Sequence, residues 1–447
     1  MHERPKPYEI NMVILKSQVA HNAQAEQDFL GGVEEEEKDR DFNISLPYSD
    51  LAGIWFNEGD NLSNASFALP LWRLNQVNQL GFLINLGADE DFDNSFAEPF
   101  HHTRVNHSLV VGMVMGRILR RNKASEQDVL IGEAAGVIHD IATPAGGDAV
   151  KLVDEANLDE EEFWWEVIED KGWEYLQGIG ATREKIDDIV HNRGFLGRVL
   201  DISDKITYVM HDLAAFMGNG VWTNNVAVFR GYNKEFEKLL YQDTSIGDIY
   251  KTVNIDEETG QIYFSDPEKL RKFLEIRAVL HRDIYLNWAS QGRDMLIREL
   301  LRPLYSAEPK DGKLTPHDLR KMGDEQLLTF VAEKYGDDKW EKDYFSFRLA
   351  LDKFKPLVEV FSTIEEAEER KQELEQNPEL IVLGTKQVRS FKTGTDYLVL
   401  DDNGNVIPFY QHDPICSKRL ENIAAATEKN FVFYANTSDI PRPLKAA

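Results

Sequence analysis

The chain has 447 residues, 42% hydrophobic and 11% aromatic, and its 78 acidic against 50 basic residues give a formal charge of −28. That length supports two or three domains with a substantial buried core, and the charge argues against sequence-independent binding to nucleic acid, which needs clustered lysine and arginine to displace counterions from phosphates. A single cysteine, Cys416, excludes an intrachain disulfide framework and a multi-cysteine zinc site. No run approaches the roughly 18 apolar residues of a membrane span and the N-terminus carries no apolar leader, so a cytoplasmic location is expected. A small polyanionic ligand stays compatible with an acidic chain, because with a Debye length of about 8 Å it feels mainly its nearest cations.

Residues 1–65 read as a polar arm, with Gly31-Gly32 leading into the acidic run Glu34 to Glu37. Helices dominate 66–305, the expected catalytic core. Arg73 to Gly81 reads as a polar helix end, and Asp89-Glu90-Asp91-Phe92-Asp93 as a lengthened surface loop. From His107 to Leu119 the sequence is almost uniformly apolar, as expected of a helix buried on most sides. Ser125-x-x-Asp128 marks a helix start that runs through Ile138 into His139-Asp140, where Pro144 and Gly146-Gly147 end it. Further helices are expected over 163–177, 183–191, 197–216 and 267–305.

The character changes over 306–447. Thr363-x-x-Glu366 opens a charged helix ending near Asn377-Pro378, strands are expected over 380–383 and 397–400, and Asp401-Asp402-Asn403-Gly404 forms a turn. The expected fold class is therefore mainly α, a helical core with a smaller C-terminal mixed α/β appendage.

His107, His139, Asp140 and Asp204 lie in three stretches that read as helix. Two imidazoles and two carboxylates converging from them would make a divalent-metal site, and such mixed nitrogen and oxygen ligands suit manganese, magnesium, iron or cobalt, with zinc also compatible. Asp204, Tyr208 and Asp212 recur at intervals of four and share one helical face, with Lys205 about 100° round from Asp204. Arg277, His281 and Tyr285 repeat the interval. Taken singly, each pattern is also that of a solvated face or a structural histidine.

In order along the chain stand Arg-Leu-x4-Gln-Leu-Gly from Arg73, Arg-x-x-His-Ser-Leu from Arg104, His139-Asp140, Asp-Lys-x-x-Tyr-x-x-x-Asp from Asp204, and Arg-x-x-x-His-x-x-x-Tyr from Arg277. This ordered set resembles the HD-domain phosphohydrolases, and within them the deoxynucleoside triphosphate triphosphohydrolases, the dGTPase-like enzymes. The resemblance implies that His107, His139, Asp140 and Asp204 hold the metal and that Arg104, Lys205 and Arg277 contact phosphates. It further implies that Gln79, Tyr208 and Asp212 address the sugar 3'-hydroxyl, while Leu80 and Tyr285 wall the deoxyribose. A deoxynucleoside triphosphate would be cleaved to deoxynucleoside and triphosphate, and a homo-oligomer is expected on the same ground.

The chain departs from that pattern after the His-Asp pair, where Thr143 and Asp148 occupy two family histidine positions. Asp148, His281 and Asp204 are the catalytic candidates. Asp148 acts as an acid if burial or nearby carboxylates raise its pKa, and as a base or second cation ligand if it stays ionised. In place of the family's downstream His-Glu pair there is only the acidic run Asp159 to Glu162, with His191 beyond it. Two alternatives accompany the leading one: hydrolysis of a nucleoside monophosphate or another phosphoester, and a nucleotide sensor with little turnover.

Overall fold

A computed structural model describes residues 61–79, 103–221, 249–256, 259–286, 288–336 and 340–441. The expected arm up to residue 60, Leu80 and the acidic stretch 89–93 lie outside the described residues. Helix α1 spans Asn61–Ala68, so helix begins slightly earlier than the expected edge of the core.

Helices α2 (Arg104–Arg121) and α3 (Glu126–Ile138) form the centre of the fold. The start of α3 follows from Ser125, whose side chain accepts from the backbone N–H of Asp128, with Glu126 and Asp128 complementing the positive end of the helix. The two helices cross on glycine. A Cβ added to Gly136 would lie 2.6 Å from the Cα of Gly112, and one added to Gly112 would lie 2.8 Å from the Glu133 carbonyl oxygen. Only glycine at both positions lets the backbones approach this closely. Further along come α4 (Asp170–Gly178), α5 (Arg183–Val190) and α6 (Gly194–Val221).

Two of the expected long helices are interrupted. Instead of one helix over 163–177, a 3-10 turn, Trp164–Val167, precedes the extended Ile168 and then α4. The fully buried Trp164 packs on Trp173 with ring centroids 5.8 Å apart, and the chain turns back to bring the two indoles together. The expected helix over 267–305 is α7 (Pro267–Leu280), a π-helical turn at His281–Tyr285, and α8 (Trp288–Leu301). The wide turn is closed by the Leu286 N–H donating to the His281 carbonyl.

Helices α9 (Pro316–Lys321), α10 (Asp324–Tyr335) and α11 (Tyr344–Lys353) lead into the C-terminal region. There α12 (Ile364–Leu374) begins with the expected capping box between Thr363 and Glu366, and α13 spans Pro414–Thr427. An antiparallel sheet of order β3-β7-β4 combines β3 (Leu357–Phe361), β4 (Leu380–Val388) and β7 (Lys429–Asn436). A second sheet is built from β1 (Val253–Ile255), β2 (Ile262–Phe264), β5 (Leu398–Leu400) and β6 (Val406–Pro408), with β2 and β5 parallel through Tyr263↔Leu398 and Phe264↔Val399. The protein is mainly α with a small sheet region toward its C-terminus.

Packing runs across residue 306. One apolar core joins α1, α2, α3, α5, α6 and α7 and takes in Val399, Phe409 and Leu420 from the C-terminal region. The other joins Met295, Leu296 and Leu300 of α8 to Phe347, Phe431 and Phe433, with Ala149, Val150 and Leu158 from the early part of the chain. The residues after 390 are thereby held against the helices that carry the candidate site.

Candidate metal centre

The first turn of α2 presents Arg104 and His107, the end of α3 presents His139 and Asp140, and α6 presents Asp204. One ligand atom from each of His107, His139 and Asp140 lies within 4.8 Å of the others. The fourth expected ligand, Asp204, places Oδ1 2.9 Å from His107 Nε2 and 3.6 Å from His139 Nε2. Asp140 Oδ2 is 3.6 Å from His107 Nε2 and 3.7 Å from His139 Nε2. Ligands about 2.1 Å from a common cation stand about 3–3.5 Å apart, a spacing that His107, His139 and Asp140 approach as the group that could hold an ion, with Asp204 beside the two imidazoles.

The orientation of His139 supports this fit. Its Nδ1 donates to the Gly136 carbonyl at 2.7 Å, which leaves the Nε2 lone pair turned toward the carboxylates. That Nε2 is buried with no hydrogen-bond partner among the described residues, which a cation would satisfy. Burial alone would lower the His139 pKa, but Asp140 and Asp204 outweigh it and hold the imidazole up to about 9 in the metal-free protein. Burial would likewise raise both carboxyls, yet Arg104 and His139 hold Asp140, and the two imidazoles hold Asp204, below the usual carboxylate range.

Arg104 donates from Nη1 to Asp140 Oδ2 at 2.5 Å, and its Nη2 lies 4.0 Å from Asp148. Asp148 opens a single helical turn, Asp148–Lys151, and its side chain is 75% exposed. Lys151, 3.1 Å away, is the main cause of a lowered Asp148 pKa, with Arg104 adding to it. Asp148 is therefore ionised at neutral pH. The reading in which burial raises its pKa and keeps it protonated is corrected, because the side chain is exposed and the two cations that flank it outweigh the neighbouring Asp140.

One turn beyond Asp204, Tyr208 begins a second group. Arg277 donates from Nε to the Tyr208 hydroxyl at 2.7 Å, and Tyr285 donates to Asp212. His281 Nε2 is 3.5 Å from the Tyr208 hydroxyl, and the Tyr208, His281 and Tyr285 rings stand edge-on to one another at 5.0–6.4 Å between centroids. Burial, with Arg277 beside it, depresses His281 to about 3, so its imidazole is neutral. Burial pushes the Tyr208 phenol up to about 12 against the opposing pull of Arg277.

The remaining expected residues are placed as follows. Lys205 pairs with Asp201 at 2.5 Å. Gln79 is buried beside the Asn78↔Thr103 bridge, next to the turn that bears Arg104, and its Oε1 has no partner among the described residues. Leu80 lies outside the described residues. His191 is held by Glu162 and the Asp187 carbonyl, and neither partner is an expected ligand.

Sequence reasoning assigned no role to several contributors. Arg73 reaches the Ile141 and Thr143 carbonyls at 2.9 and 2.8 Å, fixing the loop after Asp140, and Asp324 accepts from the Gly146 and Asn78 N–H groups in the same region. Lys151 also pairs with Glu160 of the acidic run. From the C-terminal region, Phe391 stacks on His281 at 4.7 Å and 8°, and the Lys392 carbonyl accepts from Arg277. Their only sequence signal was an aromatic pair, Phe391 and Tyr397, around Thr393-Gly394-Thr395.

No protein-family model matches the chain, and no curated protein does. Among solved structures it is similar to a hypothetical protein from Aquifex aeolicus, at 18% identity over 87% of this chain and 95% of that one, with a TM-score of 0.59. It is also similar to a phosphohydrolase from Bacteroides thetaiotaomicron, at 12% identity over 85% and 96% of the two chains, with a TM-score of 0.58. At such identities the likeness establishes a shared fold. The fold is thus one that a phosphohydrolase also uses, and this chain carries within it a His/Asp group suited to a divalent metal.

Proposed function

We propose that the protein is a metal-dependent phosphohydrolase that cleaves deoxynucleoside triphosphates to deoxynucleoside and triphosphate. The observation that carries this reading is the continuity of two groups along α6: Asp204 belongs to the His/Asp centre, while Tyr208 and Asp212, one and two turns on, meet Arg277, His281 and Tyr285. A phosphate at the first group and a sugar at the second would be a turn of helix apart. The phosphohydrolase activity of the Bacteroides neighbour is in keeping with this.

Held by His107, His139, Asp140 and Asp204, a divalent ion would supply Lewis acidity at a phosphoryl oxygen. Arg104 keeps Asp140 ionised and oriented through its 2.5 Å hydrogen bond. Arg277 uses Nε and Nη1 on Tyr208 and Lys392, which would leave Nη2 for a phosphate oxygen. Lys205 supplies a mobile point charge in exchange for its pairing with Asp201. Ionised Asp148 is suited to accept a proton from attacking water rather than to donate one. His281, neutral over the working range, orients the Tyr208 hydroxyl and backs the sugar pocket instead of acting as an acid. Tyr285, fixed by Asp212, closes that pocket where a 2'-hydroxyl would be crowded and unpaired.

A second reading, a nucleotide sensor with little turnover, is favoured by the ionised Asp148 and by Thr143 in place of proton-donating histidines. The deciding experiment incubates the protein with each dNTP and with GTP in the presence of manganese, magnesium, iron(II) or cobalt, and resolves the products. Deoxynucleoside with intact triphosphate supports the hydrolase; nucleotide binding without products supports the sensor; monophosphate hydrolysis alone rejects both.

A further inference from the structure

Residues 391–397 meet the candidate site at three points. Phe391 stacks on His281, the Lys392 carbonyl accepts from Arg277, and Lys205 Nζ sits 5.8 Å from the centre of the Tyr397 ring. The lysine and arginine are the two cations assigned to phosphate in the preceding section. Tyr397 is therefore next to both, although it comes from the C-terminal region and from no motif of the core.

The Tyr397 ring is held firmly. It packs on the buried Phe264 at 5.7 Å between centroids, its N–H donates to the Gly394 carbonyl, and its carbonyl accepts from the Phe409 N–H. Gly394 takes a φ of +76°, and a Cβ there would lie 3.0 Å from the Tyr397 ring and 2.9 Å from Leu274, so the turn that carries the tyrosine admits only glycine without rearrangement. The adjoining β5 pairs with β2, which leads directly into α7 and Arg277. Ring and guanidinium are thus tied to one framework.

The Tyr397 hydroxyl is different. It makes no hydrogen bond to any described residue, although the charges of Arg277, Asp201 and Asp204 all act on it. Burial and the nearby carboxylates keep it a neutral phenol, a donor at any working pH. A rigid ring under Lys205, with a donor unengaged among the described residues and within the field of Arg277, is suited to recognition, because a phosphate oxygen reaching both cations would also give that donor a partner.

We infer that Tyr397 is a substrate-binding residue whose hydroxyl donates to the polyphosphate held by Lys205 and Arg277, so that the C-terminal region completes the phosphate subsite of the core. This rests on the polyphosphate reading of the candidate site. Tyr397→Phe removes the donor and leaves the ring on Phe264 and under Lys205.

The test measures binding of inorganic tripolyphosphate, with manganese present, to the full-length protein and to Tyr397→Phe. Thermal stability and manganese affinity are measured on both. The expected result is a loss of tripolyphosphate affinity of about tenfold, the scale of one hydrogen bond to a charged group, with manganese affinity and melting temperature unchanged. Equal tripolyphosphate affinity in the two proteins overturns the role of Tyr397 and leaves the polyphosphate subsite standing. Failure of the unaltered protein to bind tripolyphosphate overturns the subsite and the inference together. A parallel fall in manganese affinity or melting temperature identifies Tyr397 as structural support and likewise overturns it.

Discussion

Arg104 and Asp140 are buried together and joined by a 2.5 Å hydrogen bond from Nη1 to Oδ2. The guanidinium is thus a partner of an expected metal ligand before it is a partner of any substrate. Arg104→Ala should lower manganese affinity about 10- to 100-fold, measured by titration calorimetry without nucleotide, and Arg104→Lys should recover only part of it because one ammonium cannot reproduce the planar fork. Manganese affinity that stays unchanged while nucleotide affinity collapses would make Arg104 a phosphate ligand alone.

The glycine crossing of α2 and α3 offers a test of the framework. Gly136→Ala drives a methyl group against the Gly112 backbone, which has no flexible end to yield, and should cost about 3 kcal/mol in urea denaturation. Gly178→Ala is the control: nothing lies within 4 Å of its added Cβ, and a small gain of about 0.5 kcal/mol is expected from the less flexible unfolded chain. Similar losses at both sites would mean that the close approach is not what makes Gly136 necessary.

Asp294 on α8 supplies a dependence on pH. Burial raises its pKa to about 7, with Lys386 only partly offsetting it. Between the usual 3.8 and about 7 the folded state holds a proton that the unfolded chain releases, so this contribution is complete below the lower value and is lost as pH rises through the upper one. Asp294→Asn should therefore stabilise the protein relative to the parent at pH 8, by on the order of 2–4 kcal/mol, and the difference should shrink toward pH 4. Denaturation curves at both pH values decide it, and a gap independent of pH rejects the assignment.

Under the proposed function, sugar selectivity turns on Tyr285. Tyr285→Ala should reduce the preference for dGTP over GTP in kcat/KM by about tenfold or more, whereas Tyr285→Phe keeps the ring and should retain most of it while removing only the hydrogen bond that Tyr285 donates to Asp212. An unchanged preference in the alanine variant would remove the ring from the sugar pocket.

What could be read from the sequence was what short-range spacing controls. The Ser125 cap, the Thr363 capping box and the four-residue intervals of Asp204, Tyr208 and Asp212 each depend on residues within a turn or two, and the structure has them. The ordered motifs led to His107, His139, Asp140 and Asp204, which the fold brings together. The π turn at His281 escaped notice because a period of four also suits an uninterrupted α-helix, and only distant partners, Phe391 and Asp212, distinguish the wider turn. The pKa direction at Asp148 was open for a similar reason: Lys151 is close in sequence, but whether burial or its ammonium dominates depends on how Arg104 and the 148–151 turn pack.

The parallel pairing of β2 with β5 sets an order of events during synthesis. When Tyr263 leaves the ribosome its partner Leu398 has yet to be translated, a wait on the order of ten seconds at ordinary elongation rates. The ligand-bearing helices can meet within that time, since their contacts close at Asp204, but the edge of β2 stands open and Arg277 lacks the Lys392 carbonyl. Until residues 391 and 392 are made, the groups that stack on His281 and accept from Arg277 are missing from the candidate site, and a ribosome stalled before them would display that site without its C-terminal contacts.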